Sequence, residues 1–220
     1  MFKNILFDLD GTLTDSAEGI TKSMQAALAA IGIDEPDLNE LKKFIGPPLR
    51  GSMVKFYNST PDEVQKALEV YRERYTRVGW AENKAYPGMV ELCRDLQAAG
   101  FRTGMCTAKP EFFAVPIAEK FGFKPYLETI TGATLDGSMD DKAQVVELSL
   151  KKWNILTEED KAVTVLVGDK SMDVLAAHAN DIKCVGVGYG FGSYEELSEA
   201  GADYYVETVE DLRKFLLEVR

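Results

Sequence analysis

Apolar and polar positions follow two different periods along this chain. Across residues 16–83 the apolar positions recur every three or four residues, and no strand-like run interrupts them. Ile20, Met24, Ala27, Leu28 and Ile31 predict a first helix, with Gly32 as its stop. Leu38, Leu41 and Phe44 predict a short second helix ending near Gly46. Leu49, Met53 and Phe56 predict a third, and Pro47 and Pro48 suit its first turn. For the fourth, Thr60 stands as the cap, Pro61 takes the first position and Glu63 follows three residues past the cap. Val64, Leu68, Tyr71 and Tyr75 line its apolar face. Four short helices with one apolar stripe each fit a small bundle.

Elsewhere short apolar runs alternate with helical patterns. Strands are predicted at residues 5–7, 101–106, 128–131, 163–167, 182–187 and 204–206, and helices at 87–99, 111–121, 142–153, 173–180 and 209–219. This alternation predicts an α/β core of Rossmann-like type, a parallel sheet with helices on both faces. The helical segment is then an insertion. We expect a core domain made of residues 1–15 and 84–220 and a helical domain of residues 16–83, joined by two linkers that permit hinged closure.

Composition narrows the field. With 220 residues, 45% of them apolar and 28% charged, the chain can bury a sizeable core and is not of a disordered type. A net charge of −11 repels nucleic acid and anionic membrane surfaces. The same field opposes a phosphorylated substrate, so affinity for one has to come from local cations. The longest apolar stretches are strand-sized, and no hydrophobic segment precedes the first strand. We therefore expect neither a signal peptide nor a membrane span, and a cytoplasmic protein. Cys93, Cys106 and Cys184 lie far apart in apolar contexts and read as buried free thiols.

The chemistry concentrates at strand ends. The run at 5–7 stops at Asp8-Leu9-Asp10-Gly11-Thr12. Alternate residues share a face, so Asp8 and Asp10 can serve one site while Leu9 turns into the core. Two close carboxylates stay ionised only if a cation or a shared proton relieves them, and a hard cation such as magnesium fits. A second acidic pair, Asp169 and Asp173, follows the strand at 163–167. The strand at 101–106 ends in Thr107-Ala108-Lys109, where a hydroxyl and backbone amides approach a helix start, a natural anion site. Lys142 opens another helix after Asp140-Asp141.

These four motifs together resemble the haloacid dehalogenase superfamily, and within it the phosphoglycolate phosphatase-like branch with a helical cap inserted after the first motif. The resemblance covers essentially the whole chain. It implies a four-helix cap over residues 16–83 and a phosphomonoesterase mechanism. Asp8 corresponds to the nucleophile that forms an aspartyl-phosphate. Asp10 corresponds to the general acid and base, and also offers its backbone carbonyl to magnesium. Thr107, Ala108 and Lys142 correspond to the phosphate-binding positions. Asp169 corresponds to the acidic metal ligand, and Asp173 to a second acid near the metal, direct or through water. The implied partners are Mg2+ and a small phosphorylated metabolite, with no nucleic acid or membrane, and the protein is expected as a monomer or weak homodimer.

Substrate choice is expected in the cap. There Gly46-Pro47-Pro48 forms a rigid loop beside Arg50, whose guanidinium can take a distal anion bidentately or simply face solvent. Phosphoglycolate, nucleoside monophosphates, pyrophosphate and sugar phosphates all remain open as substrates. A phosphomutase of the sugar-phosphate type is the alternative reaction, weakened because the only histidine, His178, lies outside the cap. A phospho-ligand sensor without turnover is opposed by the intact Asp8 and Asp10. Gly186-Val187-Gly188-Tyr189-Gly190-Phe191-Gly192 follows a strand, but Ser193 occupies the last glycine position of a dinucleotide fingerprint counted from Gly188. It reads as a flexible rim loop near the site. Lys109 reads either as a partner of the phosphate site or its aspartates, or as solvated.

Overall fold

The structure, a computed structural model, describes residues 2–218. The chain divides into two compact units, one running Asp15–Lys84 and the other comprising the chain before and after it. Asp15 and Lys84, expected in the larger domain, belong to the smaller unit. They lie in two short strands, β2 (Thr14–Asp15) and β3 (Lys84–Ala85), that pair with each other. The two connections thus pair as a short two-stranded ribbon.

The larger unit is built on a six-stranded sheet. Its strands are β1 (Asn4–Phe7), β4 (Arg102–Pro110), β5 (Thr129–Ala133), β6 (Thr164–Gly168), β7 (Lys183–Val187) and β8 (Tyr204–Val206). They lie in the order β5-β4-β1-β6-β7-β8, and every pairing is parallel. The chain builds one half outward from β1 and then crosses back to build the other. The crevice beside β1 is therefore the switch point where open parallel sheets hold ligands. All four residues of β1 are buried, which is why Ile5–Phe7 reads as a continuous apolar run with no alternation.

Seven α-helices among the described residues pack around this sheet, α4 (Met89–Ala98), α5 (Glu111–Lys120), α6 (Lys142–Lys152), α7 (Glu158–Ala162), α8 (Ser171–His178), α9 (Tyr194–Glu199) and α10 (Val209–Glu218), with a 3₁₀ turn at Lys124–Tyr126. Leu6, Cys106, Leu166 and Cys184 from four strands share one core cluster with Val145, Val146 and Leu150 of α6 and Val174 and Ala177 of α8. Ile5 and Phe7, one residue along, point to the opposite face. The short α7 and α9 carry no apolar stripe long enough to read from sequence. The last residue of the helix expected at 209–219 lies outside the described residues.

The smaller unit holds α1 (Ala17–Ala30), α2 (Leu49–Tyr57) and α3 (Pro61–Arg77). Thr60 and Glu63 form the expected capping box on α3: the Glu63 N–H donates to Thr60 Oγ1 at 3.4 Å and the Thr60 N–H to Glu63 Oε2 at 2.8 Å. The expected four-helix bundle needs one correction. The second segment is a 3₁₀ helix of five residues, Glu40–Phe44, and a further 3₁₀ turn covers Gly79–Ala81. Leu38, Leu41 and Phe44 are spaced by three residues, a period that a 3₁₀ helix matches as well as an α-helix does. Leu41 and Phe44 are nevertheless buried, so the apolar spacing recorded packing correctly.

Candidate active site

β1 and its two neighbours set the site. Phe7 is level with Met105 on β4 and with Val167 on β6, so the residues just past all three gather at one edge of the sheet. The Asp8 N–H donates to Val167 O at 2.9 Å, which fixes the first carboxylate as β1 ends. Leu9 is fully buried, and the chain then turns back so that Thr14 bridges to Asp10. Gly11 makes the turn at φ +86°, where a Cβ would stand 2.1 Å from Asp169 Oδ2. Glycine is required on both counts.

Lys142 is the hub. Placed at the first turn of α6 by the Asp141 cap, its ammonium lies 2.5 Å from Asp8 Oδ1 and 2.7 Å from Asp173 Oδ1. All three side chains are buried. Asp173 also accepts the Lys170 N–H at 3.1 Å through Oδ2, closing the first turn of α8. Asp169 accepts the Phe191 N–H at 2.7 Å through Oδ2, while its buried Oδ1 has no hydrogen-bond partner. One carboxylate oxygen from each of Asp8, Asp169 and Asp173 lies within 4.8 Å of the others.

Electrostatics show what this cluster lacks. Burial pushes the Asp8 carboxyl up to about 6, against the pull of the Lys142 ammonium and with the further push of Asp173. Asp169 is held well above the ordinary carboxylate range by burial first, then by Asp173 and Asp8. Burial works against the Lys142 charge, yet Asp173 and Asp8 outweigh it and leave the ammonium more firmly protonated than usual. Lys142 pairs with only two of the three buried carboxylates, so the cluster is short of positive charge. Its donors are all oxygen, and Asp169 Oδ1 stands free of any hydrogen-bond donor. A hard divalent cation such as magnesium suits that donor set. Asp10 is not among the three clustered carboxylates; its Oδ2 pairs with Lys109 Nζ at 2.8 Å, and its Oδ1 is buried with no partner.

The remaining expected residues fall as follows. Thr107 is buried in β4, which runs on to Pro110 instead of ending at residue 106, with a register shift between Thr107 and Pro110. The shift lets Thr107 Oγ1 accept the Lys109 N–H at 3.2 Å, with Ala108 between them. Gly46 and Arg50 belong to the smaller unit. Gly46 turns at φ +102°, and Arg50 is exposed with Nη2 at 3.5 Å from Gln65 Oε1.

Two features were only partly legible as site components. Lys109 pairs with Asp10, a role left open from sequence; extending the strand by four residues would have put it on the same face as Thr107. The glycine-rich segment, expected as a flexible rim loop near the site, lies against it. At Gly190 and Gly192 it packs directly on Asp169, whereas Gly188 packs on Tyr205, and the recurrence of glycine after the strand was the available clue. His178, away from this cluster, pairs with Asp203 at 3.0 Å.

Known proteins give this geometry a family. The model of the haloacid dehalogenase-like hydrolases matches residues 5–187. A 5'-nucleotidase of Pseudomonas aeruginosa is 40% identical over 98% of this chain and 96% of its own length. The tyrosine-protein kinase PtkA of Mycobacterium tuberculosis is 36% identical over 96% of this chain and 72% of its own. A phosphoglycolate phosphatase of Colwellia psychrerythraea is 28% identical over 94% of both. Among solved structures, a "predicted phosphatase" from Clostridium acetobutylicum superposes with a TM-score of 0.93 over all of both chains at 41% identity. The chain belongs to the haloacid dehalogenase-like hydrolases, in their phosphoglycolate phosphatase-like branch.

Proposed function

We propose that this hydrolase is a magnesium-dependent phosphomonoesterase that works through an aspartyl-phosphate on Asp8. The observation that carries the reading is the division of labour between two buried carboxylates. Asp8 lies against Lys142 and beside two further acids, whereas Asp10, two residues on, pairs separately with Lys109. Asp8 Oδ attacks phosphorus and the ester oxygen leaves, taking a proton from Asp10; Asp10 then removes a proton from the water that cleaves the acyl phosphate. Splitting the displacement in two lets a weak nucleophile suffice. Lys142 and the Thr107–Ala108 segment hold the phosphoryl oxygens, where positioning and charge neutralisation do most of the work. Asp8, Asp169 and Asp173, with the Asp10 carbonyl, would hold Mg2+, whose chemistry there is to neutralise charge on the transferring group.

Nucleoside monophosphates head the substrate classes, because the 40% identical relative is a 5'-nucleotidase; phosphoglycolate follows on the likeness to the phosphatases of that name. Gly46 and Arg50 of the smaller unit, the cap in this reading, are proposed to select among them. Transfer to a protein tyrosine is a second reading, favoured by the likeness to PtkA. We place the protein in the cytoplasm, as a monomer or weak homodimer. Three free, buried cysteines suit a reducing compartment, and no described helix is long and apolar enough to cross a membrane. The test is a panel of about a hundred phosphometabolites assayed for Mg2+-dependent phosphate release, with a tyrosine peptide as competing acceptor. Release from a nucleoside monophosphate or phosphoglycolate is expected. Label passing to the peptide without release would favour the second reading.

A further inference from the structure

The segment 188–192 touches both turns that carry the acidic cluster. On the β6 side, the Phe191 N–H donates to Asp169 Oδ2 at 2.7 Å, and Lys170 Nζ donates back to Phe191 O at 3.1 Å. A Cβ on Gly190 would stand 2.3 Å from Asp169 Cβ, and one on Gly192 would stand 1.9 Å from Asp169 O. On the β1 side, the same Gly190 Cβ would stand 2.4 Å from Gly11 O, and Tyr189 Oη donates to Thr12 O at 3.2 Å. The Tyr189 ring meets Tyr86 edge-on at 5.0 Å between centroids, which restrains the side chain that makes the last contact. The far end is tied as well: Ser193 caps α9, and Glu196 of that helix accepts both the N–H and the hydroxyl of Ser171 on α8.

We propose that residues 188–192 form a positioning brace for the cation site, with Gly190 wedged between the Asp8–Thr12 turn and Asp169. The inference rests on the phosphatase reading only in taking Asp8 and Asp169 as cation ligands. Two like-charged carboxylates on separate strands repel each other, and the Asp8 N–H bond to Val167 O ties the two backbones rather than the two side chains. The brace supplies that distance by contact on both sides. It also explains why glycine stands at both 190 and 192. Side chains there would occupy the space of Asp169 and, at 190, of Gly11.

Titration calorimetry of Mg2+ into the metal-free chain, run beside p-nitrophenyl phosphate hydrolysis, tests the proposal. Gly190→Ala should weaken Mg2+ binding by about tenfold or more, as loss of an outer support typically does. The Mg2+ concentration for half-maximal turnover should rise by a similar factor. Saturating Mg2+ should then restore most of kcat and leave the KM for the ester within about twofold of wild type, which a general loss of structure would not do. Tyr189→Phe, which deletes only the hydroxyl, should weaken Mg2+ binding by about threefold, and it decides the matter if Gly190→Ala does not fold. Wild-type Mg2+ affinity in a folded Gly190→Ala, or in Tyr189→Phe where that variant decides, overturns the brace. So does failure of the unmodified chain to bind Mg2+. An unmodified chain that binds Mg2+ yet hydrolyses no phosphoester would sink the phosphatase reading, while the affinities of the variants would still decide the brace.

Discussion

Lys109 Nζ lies 2.8 Å from Asp10 Oδ2, and both side chains are buried. Lys142 meanwhile serves Asp8 and Asp173, so two ammoniums divide three of the four site aspartates between them. Removing one partner of a buried pair strands the other charge, at a cost of about 3–5 kcal/mol. Lys109→Met should therefore lower the unfolding midpoint sharply and cut turnover. Asp10→Asn introduced into that background should recover part of the stability but none of the turnover. A double-mutant cycle by thermal denaturation reads this directly, and additive losses would show that the pair is not coupled.

Asp8→Asn should keep the fold and lower phosphate release by roughly 10³-fold or more, because no other side chain can form the covalent intermediate. Trapping phosphorylated protein by rapid acid quench gives an independent readout. Label should appear on the unmodified chain and be absent from Asp8→Asn. Near wild-type hydrolysis by the variant would remove Asp8 as the nucleophile.

Chelation should abolish phosphate release, and Mg2+ should restore it. Calcium, which prefers more ligands and looser geometry, should bind yet inhibit. Because Asp8, Asp169 and Asp173 crowd one buried volume, Mg2+ should also raise the unfolding midpoint of the metal-free chain. Differential scanning calorimetry with and without Mg2+ measures that shift. Phosphate release at full rate from rigorously metal-free protein would contradict the prediction.

Arg50→Ala should lower kcat/KM on the preferred metabolite by about 10–150-fold, equivalent to one lost charge-assisted contact of roughly 1.5–3 kcal/mol. Hydrolysis of p-nitrophenyl phosphate should be unaffected, since that ester lacks the distal anion. An equal loss on both substrates would place Arg50 in the structure of the smaller unit or at the transferred phosphate. No loss on either would leave it a solvated arginine beside Gln65.

The sheet and its reactive edge were legible because each element carried its own record. Continuous burial wrote Ile5, Leu6 and Phe7 as one apolar run, and parallel pairing requires that residues just beyond such runs meet at one end. Asp8 and Asp169, the first residues past β1 and β6, could therefore be placed from position alone, whereas Asp173 comes from the first turn of α8. Helix starts were similarly local. Thr60 with Glu63 and Asp141 before Lys142 satisfy orphan backbone groups within a few residues of themselves.

What the sequence determined by itself was this local layer: which segments bury one face, where they stop, and which acids stand at the stops. Tertiary structure alone decided which cation each acid receives and what backs it. Lys109 reaches Asp10 because β4 runs on through a register shift, and pairing with β5 governs that extension. Glu40–Phe44 winds as a 3₁₀ helix with Leu41 and Phe44 buried, a choice that the three-residue spacing of its apolar positions leaves open. Gly190 and Phe191 meet Asp169 across 21 and 22 residues of chain, a contact that no periodicity encodes. Periodicity reports the face a residue buries; the partner on that face is set only when separate strands close on one another.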